Sequence, residues 1–132
     1  MSTRSFIGCR INRNTILAIY CHMDGYLSGV GHTLFHNYKS SDKVQQLMEL
    51  GCISSLSDSL EDTISYIRDW KEHKEYNKPK TFHSIQEFYE YGKQCYCEFF
   101  YLFSGTKWVQ VFPSYNRELT ENLVEKRTPS WW

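Results

Sequence analysis

The stretch "CYCEFFYLFSGTKWVQVF", Cys95 to Phe112, constrains the fold most. It is a run of strand formers broken once by "SGT", which reads as a β-hairpin. Apolar groups fill both alternating faces of its first half, so that strand belongs inside a sheet, covered on both sides. A second hairpin precedes it. "SFIGCRI" and "TILAIYCH" are short and rich in β-formers, and "NRN" at Asn12 to Asn14 supplies residues that tolerate positive φ. Strand alternation puts Ile7, Cys9 and Ile11 on one face of the first strand, and Leu17, Ile19 and Cys21 on one face of the second. "TISYIRDW" alternates as well and reads as a middle strand.

Between these strands the period changes. Leu27, Val30, Leu34 and Tyr38 recur at helical spacing, which predicts a helix over 28–38. "SSDKVQQLMELG" predicts another over 41–50, capped by Ser40 or Ser41, with Val44, Leu47 and Met48 as its stripe and Gly51 closing it. Ser84 and Glu87 form a capping box for a third over 85–91, stopped at Gly92. "SSLSDSLEDT" reads as turn and "KEHKEYNKPK" as a solvated charged loop. The expected fold is α+β: a mainly antiparallel sheet of two hairpins and a middle strand, with about three helices on one side. A chain of 132 residues fits one domain, here with a flexible C-terminal tail expected from about 117.

Charge narrows the function classes. Fifteen basic and fifteen acidic residues cancel, which argues against an electrostatic nucleic-acid binder. No run approaches the ~18 apolar residues of a membrane span. Five cysteines cannot all pair, and "MSTRSFIGCR" lacks a signal peptide's apolar run, so free thiols in a cytosol are expected. The chain is rich in aromatics, with ten tyrosines, eight phenylalanines and four tryptophans, which suit binding faces as well as cores.

"YCHMDGYLSGVGHTLFHNY", Tyr20 to Tyr38, gathers the reactive side chains. His32 and His36 share a helix face at four-residue spacing, yet no four-ligand pattern accompanies them, and no metal or cofactor is expected. Cys95 and Cys97 alternate on a strand with a spacer too short for a zinc knuckle, and read as small buried thiols. Cys21 and His22 are neighbours on a strand and point to opposite faces, so they form no nucleophile–base pair with each other. "GVG" is no phosphate-binding glycine fingerprint, although a glycine-rich helix start can bare N–H groups to an anion. His22 and Asp24 flank a strand exit where polar site groups collect. His22, Asp24 and Tyr26 are therefore expected to serve binding more than stability.

"STRSFIG", "AIYCHMDGY", Gly31, Leu34 and Tyr38 as "GxxLxxxY", "YIRD" and "YLFSGTKW" together resemble a group of small phage-encoded accessory proteins. The resemblance marks Arg4, Tyr20, Cys21, His22, Asp24, Gly25, Tyr26, Gly31, Tyr38, Arg68, Asp69 and Trp108. Met23 departs from it where similar proteins often have Trp, Asn37 stands where they often have His, and His32 and His36 match nothing in it. It implies a protein of the bacterial host cytoplasm that counters a host defence.

Three readings follow. One is a non-enzymatic inhibitor of a host defence protein, such as an anti-CRISPR inhibitor of a CRISPR effector, anchored by Trp70, Trp108, Trp131 and Trp132. A second is a sponge for a nucleotide immune signal, using Arg4, Arg68, Tyr20, Tyr26 and the Gly29 to Gly31 helix start. The third is a small hydrolase using His22 and Asp24. The candidate binding set is Arg4, Tyr20, His22, Asp24, Tyr26, Arg68, Asp69, Trp70 and Trp108, with no catalytic residue assigned and homo-oligomerisation left open.

Overall fold

The computed structural model describes residues 2–126 and has an α+β fold. Strands β1 (Ser5–Asn12) and β2 (Thr15–Cys21) form the first hairpin, and Asn12 Oδ1 accepts from the Asn14 N–H at 2.9 Å in its turn. A wide π-helical turn, Leu27–Gly31, runs into α1 (His32–Asn37). Helix α2 (Ser41–Glu49) follows, capped by Ser40, and Gly51 closes it at φ 76°. Next come β3 (Ile53–Ser55), β4 (Ile64–Ser65), α3 (Lys74–Asn77), β5 (Lys80–Phe82) and α4 (Ile85–Gln94). The second hairpin is β6 (Phe99–Phe103) with β7 (Trp108–Val111), then β8 (Asn116–Glu118) and α5 (Glu121–Val124). In the segment expected as a tail from about 117, the described residues, up to 126, include the end of β8 and α5, with Leu119 and Val124 buried.

Both hairpins lie in one sheet of order β4-β3-β2-β1-β6-β7-β8, with β5 also pairing β2. The hairpins meet through a parallel β1·β6 pairing, Ser5 to Phe99 through Cys9 to Phe103. Other pairings are antiparallel apart from a single parallel bridge, Cys21 to Ile53. Strand β6 is central and buried, as its two apolar faces require.

The helices divide between the two faces of the sheet, where one face was expected. Ile7, Cys9, Ile19 and Cys21 face α1, α2 and α5 through Leu34, Tyr38, Val44, Leu47, Met48 and Val124. The opposite face of the same strands, Phe6, Ile16 and Ala18, packs with Phe82, Phe100, Leu102 and Phe88 of α4. A doubly apolar central sheet needs cover on both sides, and α4 supplies the second layer. Ile11 lies beyond the core and is exposed.

Four local expectations change. Gly92 does not stop α4, which continues to Gln94, because the absence of a side chain there admits the Phe100 ring. "TISYIRDW" is a strand only at Ile64–Ser65. The Asp69 carboxylate accepts the Ser65 N–H at 2.7 Å and the Ser65 hydroxyl accepts the Arg68 N–H, so side chains fold the segment into a turn. In "KEHKEYNKPK" the end is not solvated loop: Lys80 opens β5, paired to Ala18. Cys95 and Cys97 precede β6 in a turn, with Tyr96 between them at φ 65°.

Candidate functional site

Strand register builds a cleft on the α4 face of the sheet. Phe6 pairs Tyr20 and Ala18 pairs Lys80, so these side chains share that face, with Arg4 two residues before Phe6. Helix α4 covers Phe6, Ile16 and Ala18 but leaves the Tyr20 end open. The resulting cleft is about 570 Å³. Its floor is Phe6, Ala18 and Tyr20. Arg4, Tyr91, Cys95 and Tyr96 line it from the β1–α4 side, and Cys52, Tyr66, Glu72, Tyr76, Asn77 and Lys80 from the β3–β5 side.

Five tyrosines and two cations therefore share one concavity. The Arg4 guanidinium lies 5.8 Å from the Tyr96 ring centroid, and the Lys80 ammonium 5.7 Å from that of Tyr91. Arg4 Nε is buried and, among the described residues, has no hydrogen-bond partner. Burial pushes the Tyr20 hydroxyl up to about 12, against the pull of Arg4. The Tyr66 hydroxyl is also raised, by burial first and by the Glu72 carboxylate. Burial likewise raises the Cys52 and Cys95 thiols, while Lys80 lowers both. A groove of similar volume, about 570 Å³, lies between α4 and the β7–β8 turn, but among the described residues no cation lines it.

His22 stands next to Tyr20, at the end of β2. Its Nδ1 meets the Tyr20 hydroxyl at 2.8 Å, and its Nε2 meets Ser2 Oγ at 3.0 Å. Tyr20 and His22 are two apart on one strand face, so the imidazole sets the direction of the Tyr20 hydroxyl. Cys21 points to the other face, fully buried, and desolvation pushes its thiol up to about 12. A thiol so raised stays protonated at neutral pH and is a poor nucleophile.

The other expected site residues lie elsewhere. Asp24 and Tyr26 border a separate hollow with Ser28, Gly29, Thr33 and Lys126, the Tyr26 hydroxyl donating to Asp24 Oδ1 at 3.2 Å. Their backbone braces the fold: Val30 N–H donates to the Asp24 carbonyl at 2.8 Å, and the Tyr101 hydroxyl donates to the Gly25 carbonyl at 2.7 Å. A side chain at Gly29 would sit 2.3 Å from the Asp24 carbonyl oxygen, which explains that glycine without an anion. Arg68 donates to Asp69 and to the Leu60, Glu61 and Thr63 carbonyls, which engages its guanidinium in the turn. Trp108 is core, its indole N–H donating to the Tyr38 carbonyl at 2.8 Å, so it is no surface anchor. Trp70 is exposed and leans on Tyr66 with ring centroids 5.3 Å apart. Trp131 and Trp132 lie outside the described residues.

His32 and His36 tie α1 to the last helix. His32 Nδ1 is 3.0 Å from the Val124 carbonyl, and His36 Nε2 is 2.8 Å from Glu121 Oε2, without the alignment of a hydrogen bond. Among the described residues no three His, Cys, Asp or Glu side chains converge as a metal site would require, and no helix is long and apolar enough to cross a membrane.

Of the expected set, the structure gathers only Arg4, Tyr20 and, hydrogen-bonded to Tyr20, His22. Sequence reasoning missed Lys80, Tyr66, Tyr76, Tyr91 and Tyr96. The one signal for Lys80 was its two-residue offset from Phe82, the alternation of a strand hidden at the end of a charged run. No family model, no curated protein and no solved structure matches this chain.

Proposed function

We propose that this chain is a phage accessory protein of non-enzymatic action that counters a host defence by sequestering a small anionic, planar ligand of the nucleotide class. The observation that carries the binding reading is the Arg4–Lys80 cleft: two cations among five tyrosines, with Arg4 Nε buried and unpartnered. A buried donor without an acceptor is costly, and a bound anion satisfies it. The volume falls within the roughly 300–1,000 Å³ range of small-ligand sites. Tyrosine faces stack bases regardless of sequence. Binding is favoured over turnover because Tyr20 and Cys21 hold their protons to about 12. The phage and counter-defence part of the proposal rests on the resemblance in the sequence.

Titration calorimetry with mononucleotides and cyclic dinucleotides tests this reading. Wild type is expected to bind at least one, and Arg4→Ala to weaken binding by about tenfold or more, since charge-assisted bonds contribute ~1.5–3 kcal/mol. Binding that survives Arg4→Ala unchanged refutes the assignment of the cleft.

One observation favours a second reading, inhibition of a protein such as a CRISPR effector. Trp70, Tyr76 and Tyr96 are exposed at 52%, 77% and 75%, beside or within the cleft mouth. Exposed Trp and Tyr are frequent interface anchors. Under this reading a stable complex with one host protein forms, and Trp70→Ala dissolves it while leaving nucleotide binding intact.

A further inference from the structure

Among the described residues that line the cleft, Glu72 is the one acidic side chain. Its backbone N–H donates to the Tyr66 carbonyl at 2.9 Å, which ties it to that residue, and its carboxylate contributes to raising the Tyr66 hydroxyl. Among the described residues it has no ion-pair partner. Strand order sets it across the floor from Arg4. Arg4 leads into β1, Tyr20 on β2 lies between, and Glu72 follows β4 beyond β3.

A carboxylate accepts hydrogen bonds and offers none. A ligand that is anionic throughout would meet repulsion at this end of the cleft. A ligand with negative charge toward Arg4 and N–H donors toward Glu72 would meet none. We infer that the ligand is a guanine nucleotide, its N1–H and N2–H edge on the Glu72 carboxylate, its phosphate on Arg4 and its ring among the tyrosines. Guanine offers two adjacent donors to two carboxylate oxygens. Adenine sets a ring acceptor beside its one amino group, and uracil sets a single N–H between two carbonyls. A site built to pair donors rejects ligands that lack them far more strongly than one built on apolar contact. This inference rests on the nucleotide reading of the same cleft.

The experiment is titration calorimetry with guanine, hypoxanthine, adenine and uracil nucleotides, each as the 5′-monophosphate and the cyclic dinucleotide, against wild type, Glu72→Gln and Arg4→Ala. Guanine is expected to bind tighter than adenine or uracil by about tenfold or more, with hypoxanthine between, having lost one donor. Glu72→Gln should erase most of that preference while leaving adenine binding equal or stronger. Glu72 is exposed, so an unchanged circular dichroism melt is expected to show that the variant is folded. Equal binding of all four bases, or a preference that survives Glu72→Gln, overturns the guanine inference and leaves the nucleotide reading standing. Absence of binding to every nucleotide overturns both.

Discussion

Replacing Gly92 by alanine sets two known effects against each other. Gly92 lies inside α4, where alanine is favoured over glycine by about 1 kcal/mol. Propensity alone would make the variant more stable. Packing opposes it: a Cβ at this position would lie 2.2 Å from Phe100 Cε2, and 3.0 Å from both Phe100 Cζ and Phe6 Cδ2. Relief requires a movement of roughly 1 Å or more, since carbon atoms settle at about 3.5–4.0 Å. Phe100 has little room for it, with Tyr89 at 4.4 Å and Phe88 at 5.9 Å between ring centroids. Overpacking of this kind costs ~1–3 kcal/mol, and an approach of 2.2 Å belongs to the upper half of that range. The net expectation is a loss of about 1–2 kcal/mol. Urea denaturation at constant m-value measures it. A double variant, Gly92→Ala with Phe100→Leu, should show favourable coupling, because the smaller side chain vacates the space the methyl needs. A Gly92→Ala protein as stable as wild type, or additive energies in the double variant, would refute the close-approach argument and return Gly92 to the role of a weak helix residue.

Tyr101→Phe should cost about 1–3 kcal/mol in the same assay, because it strands the buried Gly25 carbonyl; a loss below about 0.5 kcal/mol would show that water replaces the hydroxyl. Arg68→Ala should lower the melting temperature yet leave nucleotide affinity unchanged, since its donors are engaged within the turn; weakened binding would bring Arg68 back into the site. The Arg68 guanidinium and the Ser65 N–H hold the Asp69 carboxyl below its ordinary range, so its folded value lies under its unfolded one. Its contribution is therefore complete above the unfolded value of about 4 and is lost as pH falls through the folded value, and Asp69→Asn should flatten this part of the acid limb of a stability–pH curve. In the native protein a thiol reagent should reach Cys95 before the buried Cys9, Cys21 and Cys97, and unfolding under denaturant without reductant should release all five thiols; rapid native labelling of Cys21 would contradict its burial.

The two hairpins and α2 were legible because each carries its own signal. The strands are runs of four to eight β-formers around short turns, and the helix has both a cap and a closing glycine. Strands β3 and β5 were not, since three residues cannot express a period, and of the middle strand read in "TISYIRDW" only β4 is formed. Strands β3 and β5 exist because β2 offers an edge, and β4 because β3 does, which are tertiary facts. The same cause hid most of the cleft. Arg4 and Tyr20 stand near the clear hairpin and were named, whereas Lys80, Tyr66 and Tyr76 come from the segments that those short strands position. Asp24 and Tyr26 show the opposite case. They are close to Tyr20 in the chain, but the positive φ of Asp24, 57°, turns the backbone away from the cleft. His32 and His36 suggested a metal by spacing, and their partners, Val124 and Glu121, lie too far along the chain for spacing to disclose.

The parallel pairing of β1 with β6 joins residues more than ninety positions apart. During synthesis the first hairpin emerges long before β6 exists. Until Phe99 to Phe103 arrive, β1 presents one unpaired edge flanked by Phe6, Ile7 and Cys9, and neither core can close. Loop closure over such a span comes before the contacts that reward it, which slows folding and prolongs exposure of that edge. An unpaired apolar edge is also where two nascent chains can meet. Production of this protein should accordingly depend more on growth temperature and chaperone supply than its finished stability suggests, with aggregates forming on the Phe6–Cys9 edge of chains that are still incomplete.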